Sequence, residues 1–153
     1  MNGNDNYFMK HALALAREAF ERDEIPVGAV VVSPEGIIIG SGYNVTEGQF
    51  SQSRHAEVCA IERAGATQKS WRLEECTLYV TLEPCLMCMG LICLSRVERL
   101  VYAASSPLLG YSRDKEDLPP LYRKHIKGIS AGVEADESKA LLEHFFKHKR
   151  KGE

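Results

Sequence analysis

Apolar residues fall along this chain at helical spacing in some segments and in short β-branched runs in others, with polar, aperiodic stretches between them. Tyr7–Arg22 places Phe8, Ala12, Leu15, Ala19 and Phe20 near one face at helical spacing, which predicts an amphipathic helix capped by Asp5 or Asn6. Ala29–Val32 and Ile37–Ile39 are β-branched runs divided by Ser33-Pro34-Glu35-Gly36, the pattern of a hairpin, with Gly40 and Gly42 expected to end the second strand. Asn44–Arg54 is polar and aperiodic and reads as a loop. His55–Ala64 returns to helical spacing through Val58 and Ile61, with Gly65 as the expected C-cap. Leu78–Thr81 is a strand broken by Pro84, and Cys85–Leu94 follows as a mostly apolar helix expected to be buried. Leu100–Ala103 and Ile129–Val133 are short strands. Between them Ser105–Gly128, with Pro107, Pro119, Pro120 and a mixed-charge run, reads as a long surface excursion. Ser138–Arg150 closes the pattern as a helix with Leu141, Leu142, Phe145 and Phe146 on its apolar side.

A helix between successive later strands requires crossover connections. The fold expected is therefore α/β in three layers, a mixed central sheet of about five strands with helices on both faces. Residues 1–153 are expected to form a single domain, because too few follow the excursion to build a second core.

Composition narrows the function classes. Apolar residues make up 44% and charged residues 26%, an ordinary globular mixture. No apolar run is long enough for a membrane span. Lys10, His11, Arg17 and Glu18 interrupt the N-terminal apolar stretch, so it does not read as an export signal, and the cytoplasm is the expected location. The five cysteines are an odd number, which argues against a disulfide framework, and Cys59, Cys76 and Cys93 sit in apolar contexts that suit a core. A net charge of −2 opposes strong nonspecific nucleic-acid binding over the whole surface. Positive charge is concentrated in the tail Lys147-His148-Lys149-Arg150-Lys151.

The remaining chemistry lies in two short segments. His55-Ala56-Glu57 and Pro84-Cys85-Leu86-Met87-Cys88 supply one imidazole, two thiols and one spare carboxylate. Zinc accepts these three donor types, and catalytic zinc sites keep the fourth position for water. Cys85 and Cys88 are spaced to converge on one ion from a helix start, and His55 is the third ligand, for one Zn2+ per chain. Helix N-termini add partial positive charge that favours thiolates. Zinc lowers the pKa of its water to roughly 7, and Glu57, two residues from His55, is placed to carry the proton without being a ligand. A Cys-x-x-Cys alone also suits a redox pair or half of a structural zinc site. Its combination with His-x-Glu is the signature of zinc nucleobase deaminases.

At these residues the chain resembles the cytidine/deoxycytidylate deaminase-like superfamily, and within it the bacterial tRNA adenosine deaminases. Glu24-Ile25-Pro26-Val27-Gly28-Ala29-Val30 resembles the family's entry to its first strand. His55-Ala56-Glu57 and Thr77-Leu78-Tyr79-Val80-Thr81-Leu82-Glu83-Pro84-Cys85-Leu86-Met87-Cys88 resemble its two metal blocks. The resemblance implies a cytidine-deaminase-like fold, a homodimer, and hydrolysis of adenosine to inosine at the first anticodon position of a tRNA anticodon stem-loop. It also implies that Asn44 hydrogen-bonds the base and that Val27 packs on it. Arg54, Lys147, Lys149 and Arg150 are candidate RNA contacts. Where the family usually carries an acid and a base after its fourth strand, this chain has Ser106 and Leu108. A free-base or nucleoside deaminase of guanine or cytosine type is the alternative, and a structural-zinc or RNA-binding protein without catalysis is a third reading.

Overall fold

The computed structural model describes residues 4–113 and 118–152; the charged run at 114–117 and the side chain of Arg150 lie outside the described part. The elements are α1 (Asn4–Glu21), β1 (Gly28–Val32), β2 (Ile38–Tyr43), α2 (Ala56–Gln68), β3 (Thr77–Leu82), α3 (Leu86–Leu94), β4 (Arg99–Ala104), α4 (Pro120–Arg123), β5 (Gly128–Ala131) and α5 (Ala135–Gly152), with a single 3-10 turn at Tyr111–Arg113. The five strands form one sheet in the order β2-β1-β3-β4-β5. β1 runs antiparallel to both β2 and β3, whereas β3, β4 and β5 are parallel, so the sheet is mixed as expected.

The strand period of two divides the core between the two faces. Ala29, Val31, Leu78, Val80, Leu100 and Tyr102 pack with Ala56, Ala60, Met89 and Ile92, residues of α2 and α3. Val30, Val32, Tyr79, Val101 and Ala103 point the other way, onto Phe8, Met9, Ala12 and Leu13 of α1. α5 lies over β4 on that second face. Cys59, Cys76 and Cys93 are buried, as their apolar contexts suggested.

Four local readings change. Gly40 and Gly42 do not end β2; they lie inside it. A Cβ on Gly40 would sit 2.3 Å from the Ala60 carbonyl oxygen and one on Gly42 2.6 Å from the Cys59 Cβ, so these glycines let α2 approach the sheet. Gly65 continues α2 for a further turn, and Lys69, at φ 54°, takes the left-handed C-cap. Asp5 is not a cap either. It sits in the first turn of α1, fully buried, where it accepts hydrogen bonds from the Tyr79 hydroxyl and the Arg99 guanidinium. α3 is buried on one side only: Cys88, Met89, Ile92 and Cys93 face the sheet, while Leu86, Met87 and Leu94 are exposed.

Candidate metal centre and active site

The sheet topology brings the two sequence motifs together. Ala29 pairs with Val80 and Gly28 with Tyr43, so the start of β1, the end of β2 and the end of β3 meet at one edge of the sheet. Beyond that edge the chain leaves β3 through Glu83 and Pro84 into α3 and enters α2 after the loop that follows β2. His55 is the N-cap of α2 and Cys85 the N-cap of α3, both with extended backbone and neither spending its side chain on capping. Cys88 follows in the first turn of α3. The two helices thus present their N-termini, and their positive dipole ends, to one point.

Both sulfurs approach the same imidazole nitrogen. Cys88 Sγ lies 3.4 Å and Cys85 Sγ 3.7 Å from His55 Nδ1, and the three donor atoms fall within 4.8 Å of one another. Tetrahedral zinc with ordinary Zn–S and Zn–N bonds separates such an N,S pair by about 3.6 Å. The donor set and its spacing therefore fit zinc, with Nδ1 as the histidine ligand.

The charges agree with that fit. A hydrogen bond from Cys88, with His55 nearby, pushes the Cys85 thiol down to about 4. The same hydrogen bond and burial push Cys88 up, and the contact with Cys85 raises His55. Two thiols that share one proton beside an imidazole form a site that exchanges protons for a dication. Glu57, the second residue of α2, is buried beside the ligands and outside the ligand group. Burial pushes its carboxyl up to about 7, a range suited to carrying protons in both directions.

A cavity of about 790 Å³ opens onto these groups. Val27 and Asn44 line it together with His55, Glu57 and Cys85. Asn44 is buried, and its Oδ1 accepts a hydrogen bond from the Ala56 amide at 2.8 Å. Its amide nitrogen is left to donate into the cavity. Of the basic candidates, Lys149 reaches the cavity wall, where it pairs with Asp23 at 2.7 Å. Lys147 is exposed on α5 away from the lining, and Arg54 grips Glu62 through two hydrogen bonds of 3.0 and 2.8 Å.

Two lining residues escaped the sequence reading. Glu24 and Glu83 are both buried acids that hold neighbouring loops through backbone amides. The available signal was an acid shortly before each motif proline: Glu24 two residues ahead of Pro26, and Glu83 directly ahead of Pro84 after the apolar run of β3.

Two helix N-termini converging on an imidazole and two thiols, with a buried carboxyl beside them lining a cavity, define a zinc-dependent deaminase of amino-substituted rings. The profile of the cytidine and deoxycytidylate deaminase zinc-binding region matches residues 2–104, and the chain belongs to that family. It is 40% identical over 149 residues to the tRNA-specific adenosine deaminase of Buchnera aphidicola subsp. Schizaphis graminum, covering 97% of this chain and 98% of that protein. It is 44% identical over 142 residues to a tRNA(Ile)-lysidine synthase of Deinococcus deserti, but spans only 27% of that longer protein. Among solved structures, one from work on A-to-I editing by tRNA:A34 deaminases at the wobble position of transfer RNA superimposes with a TM-score of 0.79 at 35% identity, covering 89% of this chain and 99% of that one. The guanine deaminase of Nitrosomonas europaea superimposes with a TM-score of 0.81 at 27% identity, covering 92% and 83%.

Proposed function

We propose that this protein is a zinc-dependent tRNA adenosine deaminase that hydrolyses adenosine to inosine at the first anticodon position and releases ammonia. The observation that carries the reading is the His55–Cys85–Cys88 triad with buried Glu57, set in a chain 40% identical to tRNA-specific adenosine deaminases over nearly its whole length. Bound zinc, held by His55, Cys85 and Cys88, supplies an activated water for attack on C6 of the purine. The Glu57 carboxylate would take one proton of the attacking water and deliver it to N1, then carry the remaining hydroxyl proton from the C6 oxygen to the departing amine, so that ammonia leaves as the C6 carbonyl forms. Val27 packs against the base, and Asn44 donates its amide hydrogens to the base edge while the Ala56 amide fixes its carbonyl. The base must leave its stack to reach this floor, which is cheaper in an anticodon loop than in a duplex. Lys149 at the cavity wall, with Lys147 on the same helix, supplies phosphate contacts on leaving Asp23, as Arg54 does on leaving Glu62.

The outer face of α3 supports a homodimer. Leu86 and Leu94 are 60% and 57% exposed on a helix with no charged residue, and Met87 and Leu121 extend the apolar surface. A second copy of the chain is a self-complementary cover for such a patch. The protein is read as one deaminase domain acting in the cytoplasm. None of its five cysteines is in a disulfide, which suits a reducing compartment, and among the described residues no helix is long and apolar enough to cross a membrane.

The alternative is deamination of a free base. It is favoured by the likeness to the guanine deaminase and by acids at the cavity wall, Glu24, Glu47 and Glu83, which do not attract phosphate. Incubation with total tRNA and, separately, with free guanine, adenine and cytosine distinguishes the two. Inosine in tRNA digests, absent with Glu57→Ala, is the expected result. Ammonia from a free base with no inosine in tRNA overturns the proposal.

A further inference from the structure

The sheet order β2-β1-β3-β4 puts the loop after β2 and the loop after β4 on opposite flanks of the central β1–β3 pair. Both loops contribute to the cavity, the first through Thr46, Gly48 and Gln52, the second through Ser106 and Leu109. Each loop is held by an acid at the end of the adjacent central strand. Glu24, ahead of β1, accepts the Glu47 amide at 3.0 Å on Oε1 and the Gly48 amide at 2.7 Å on Oε2. Glu83, just after β3, accepts the Ser106 amide at 3.1 Å on Oε1 and the Ser112 amide at 3.1 Å on Oε2, with the Ser112 hydroxyl donating to Oε2 as well.

The second clamp is built tightly. Gly110 pairs with Cys85 in an isolated bridge, and the Tyr111 amide donates to the Pro84 carbonyl at 2.9 Å. A Cβ on Gly110 would lie 2.4 Å from the Glu83 carboxyl, so the chain can close over that carboxylate only with glycine there. Glu24 and Glu83 are 4% and 3% exposed, and among the described residues neither has an ion-pair partner. A buried carboxylate without a cation is costly unless hydrogen bonds compensate it. Here the compensation comes from the amides of the two loops, so the loops are ordered by the same interaction that satisfies the acids.

We infer that Glu24 and Glu83 are positioning residues that hold the two walls of the substrate cavity and set how the substrate is gripped, without taking part in bond breaking. The walls contact the parts of the substrate around the reacting ring. Their loosening therefore weakens binding more than it slows the chemistry at the zinc floor.

Glu→Gln variants keep the volume of each acid and remove one acceptor oxygen. The first test is amide hydrogen exchange followed by NMR. Glu83→Gln is expected to speed exchange at Ser106 and Ser112 at least tenfold, and Glu24→Gln to do so at Glu47 and Gly48. In both variants the Ala56 amide, held by Asn44, keeps its wild-type rate and bound zinc stays at the wild-type level. Unchanged exchange at the loop amides overturns the inference. The second test is kinetic, and it rests on the RNA reading. With a tRNA stem-loop, KM is expected to rise about tenfold in each variant while kcat falls less than threefold; a fall in kcat with KM unchanged overturns the positioning role. Gly110→Ala paired with Glu83→Gln is expected to be sub-additive in KM, because both break one clamp. Additive effects count against the clamp. If the protein does not act on tRNA, the exchange experiment still decides the inference, and the kinetic arm moves to whichever amine substrate it turns over.

Discussion

The Asn44 carbonyl oxygen accepts the Ala56 amide at 2.8 Å, tying the end of β2 to the first residue of the helix that carries Glu57. One side chain thereby serves the fold with its oxygen and also lines the cavity. The two roles separate in substitution. Asn44→Ala leaves the buried Ala56 amide without a partner, which costs about 1–3 kcal/mol, and also removes the donor to the base. Asn44→Asp keeps an acceptor at a helix start and loses only the donor. Urea unfolding is expected to show Asn44→Ala destabilised and Asn44→Asp close to wild type, while both lose about 100-fold in kcat/KM, the order of magnitude of a missing buried hydrogen bond to a charge-developing ring.

The proposed function assigns zinc retention and proton transfer to different residues. Cys88→Ala removes one of three protein ligands, and metal analysis is expected to find zinc well below one per chain. Circular dichroism stays close to wild type, because the two core clusters lie on the sheet faces and do not depend on the site. Full zinc occupancy in this variant counts against the ligand assignment.

Glu57→Gln is expected to do the reverse. It keeps bound zinc and loses about 10²–10⁴-fold in kcat, the range for removal of a general acid–base group. A variant that retains most of its turnover moves the proton-transfer role elsewhere.

Asp5 gives the fold an acid-sensitive element. Hydrogen bonds from Arg99, then from Tyr79, hold its carboxyl below the usual range, and burial together with Asp5 holds the Tyr79 phenol up. A depressed folded pKa contributes stability above the unfolded value of about 3.9 and loses it as pH falls through the folded value. Asp5→Asn is therefore expected to cost about 2 kcal/mol at pH 7, below the 3–5 kcal/mol of a fully buried pair, because Arg99 is 28% exposed. The difference in urea midpoint between variant and wild type should shrink as pH drops below 4. A constant difference down to pH 2.5 would falsify the assignment.

Leu94→Glu tests the outer face of α3. If that face joins two copies, sedimentation equilibrium is expected to show a dimer for the wild type and a monomer for the variant. The helix itself tolerates the change, because Leu94 is its last residue and exposed.

The sequence disclosed what depends on short spacing. Short β-branched and apolar runs located β1, β3 and β4, and the His-x-Glu and Cys-x-x-Cys pairs located all three donors and Glu57, because each pair sits within one helical turn. Relationships between distant segments were hidden. Gly40 and Gly42 read as strand ends because glycine weakens a strand; only the approach of α2 explains them. Asp5 looked like a cap until Tyr79 and Arg99, distant in sequence, came to it. α3 read as buried because composition cannot say which half of an apolar helix meets solvent. The loop-holding acids were in plain sight just ahead of Pro26 and Pro84, but their partners are backbone amides, which leave no trace in side-chain identity.

The corner Leu82-Glu83-Pro84-Cys85 joins two jobs across one proline: the Glu83 side chain fastens the segment from Ser106 to Ser112, and the Cys85 thiol faces the His55 imidazole. That segment is anchored at both ends by a single carboxylate, so it behaves as a cassette. Exchanging it for the corresponding stretch of a relative, with glycine kept at 110, would alter which rings and flanking groups the cavity admits while leaving the metal floor in register. Ser106 and Leu108 lie inside that cassette, so the residues that set the cavity's second wall sit in an exchangeable part.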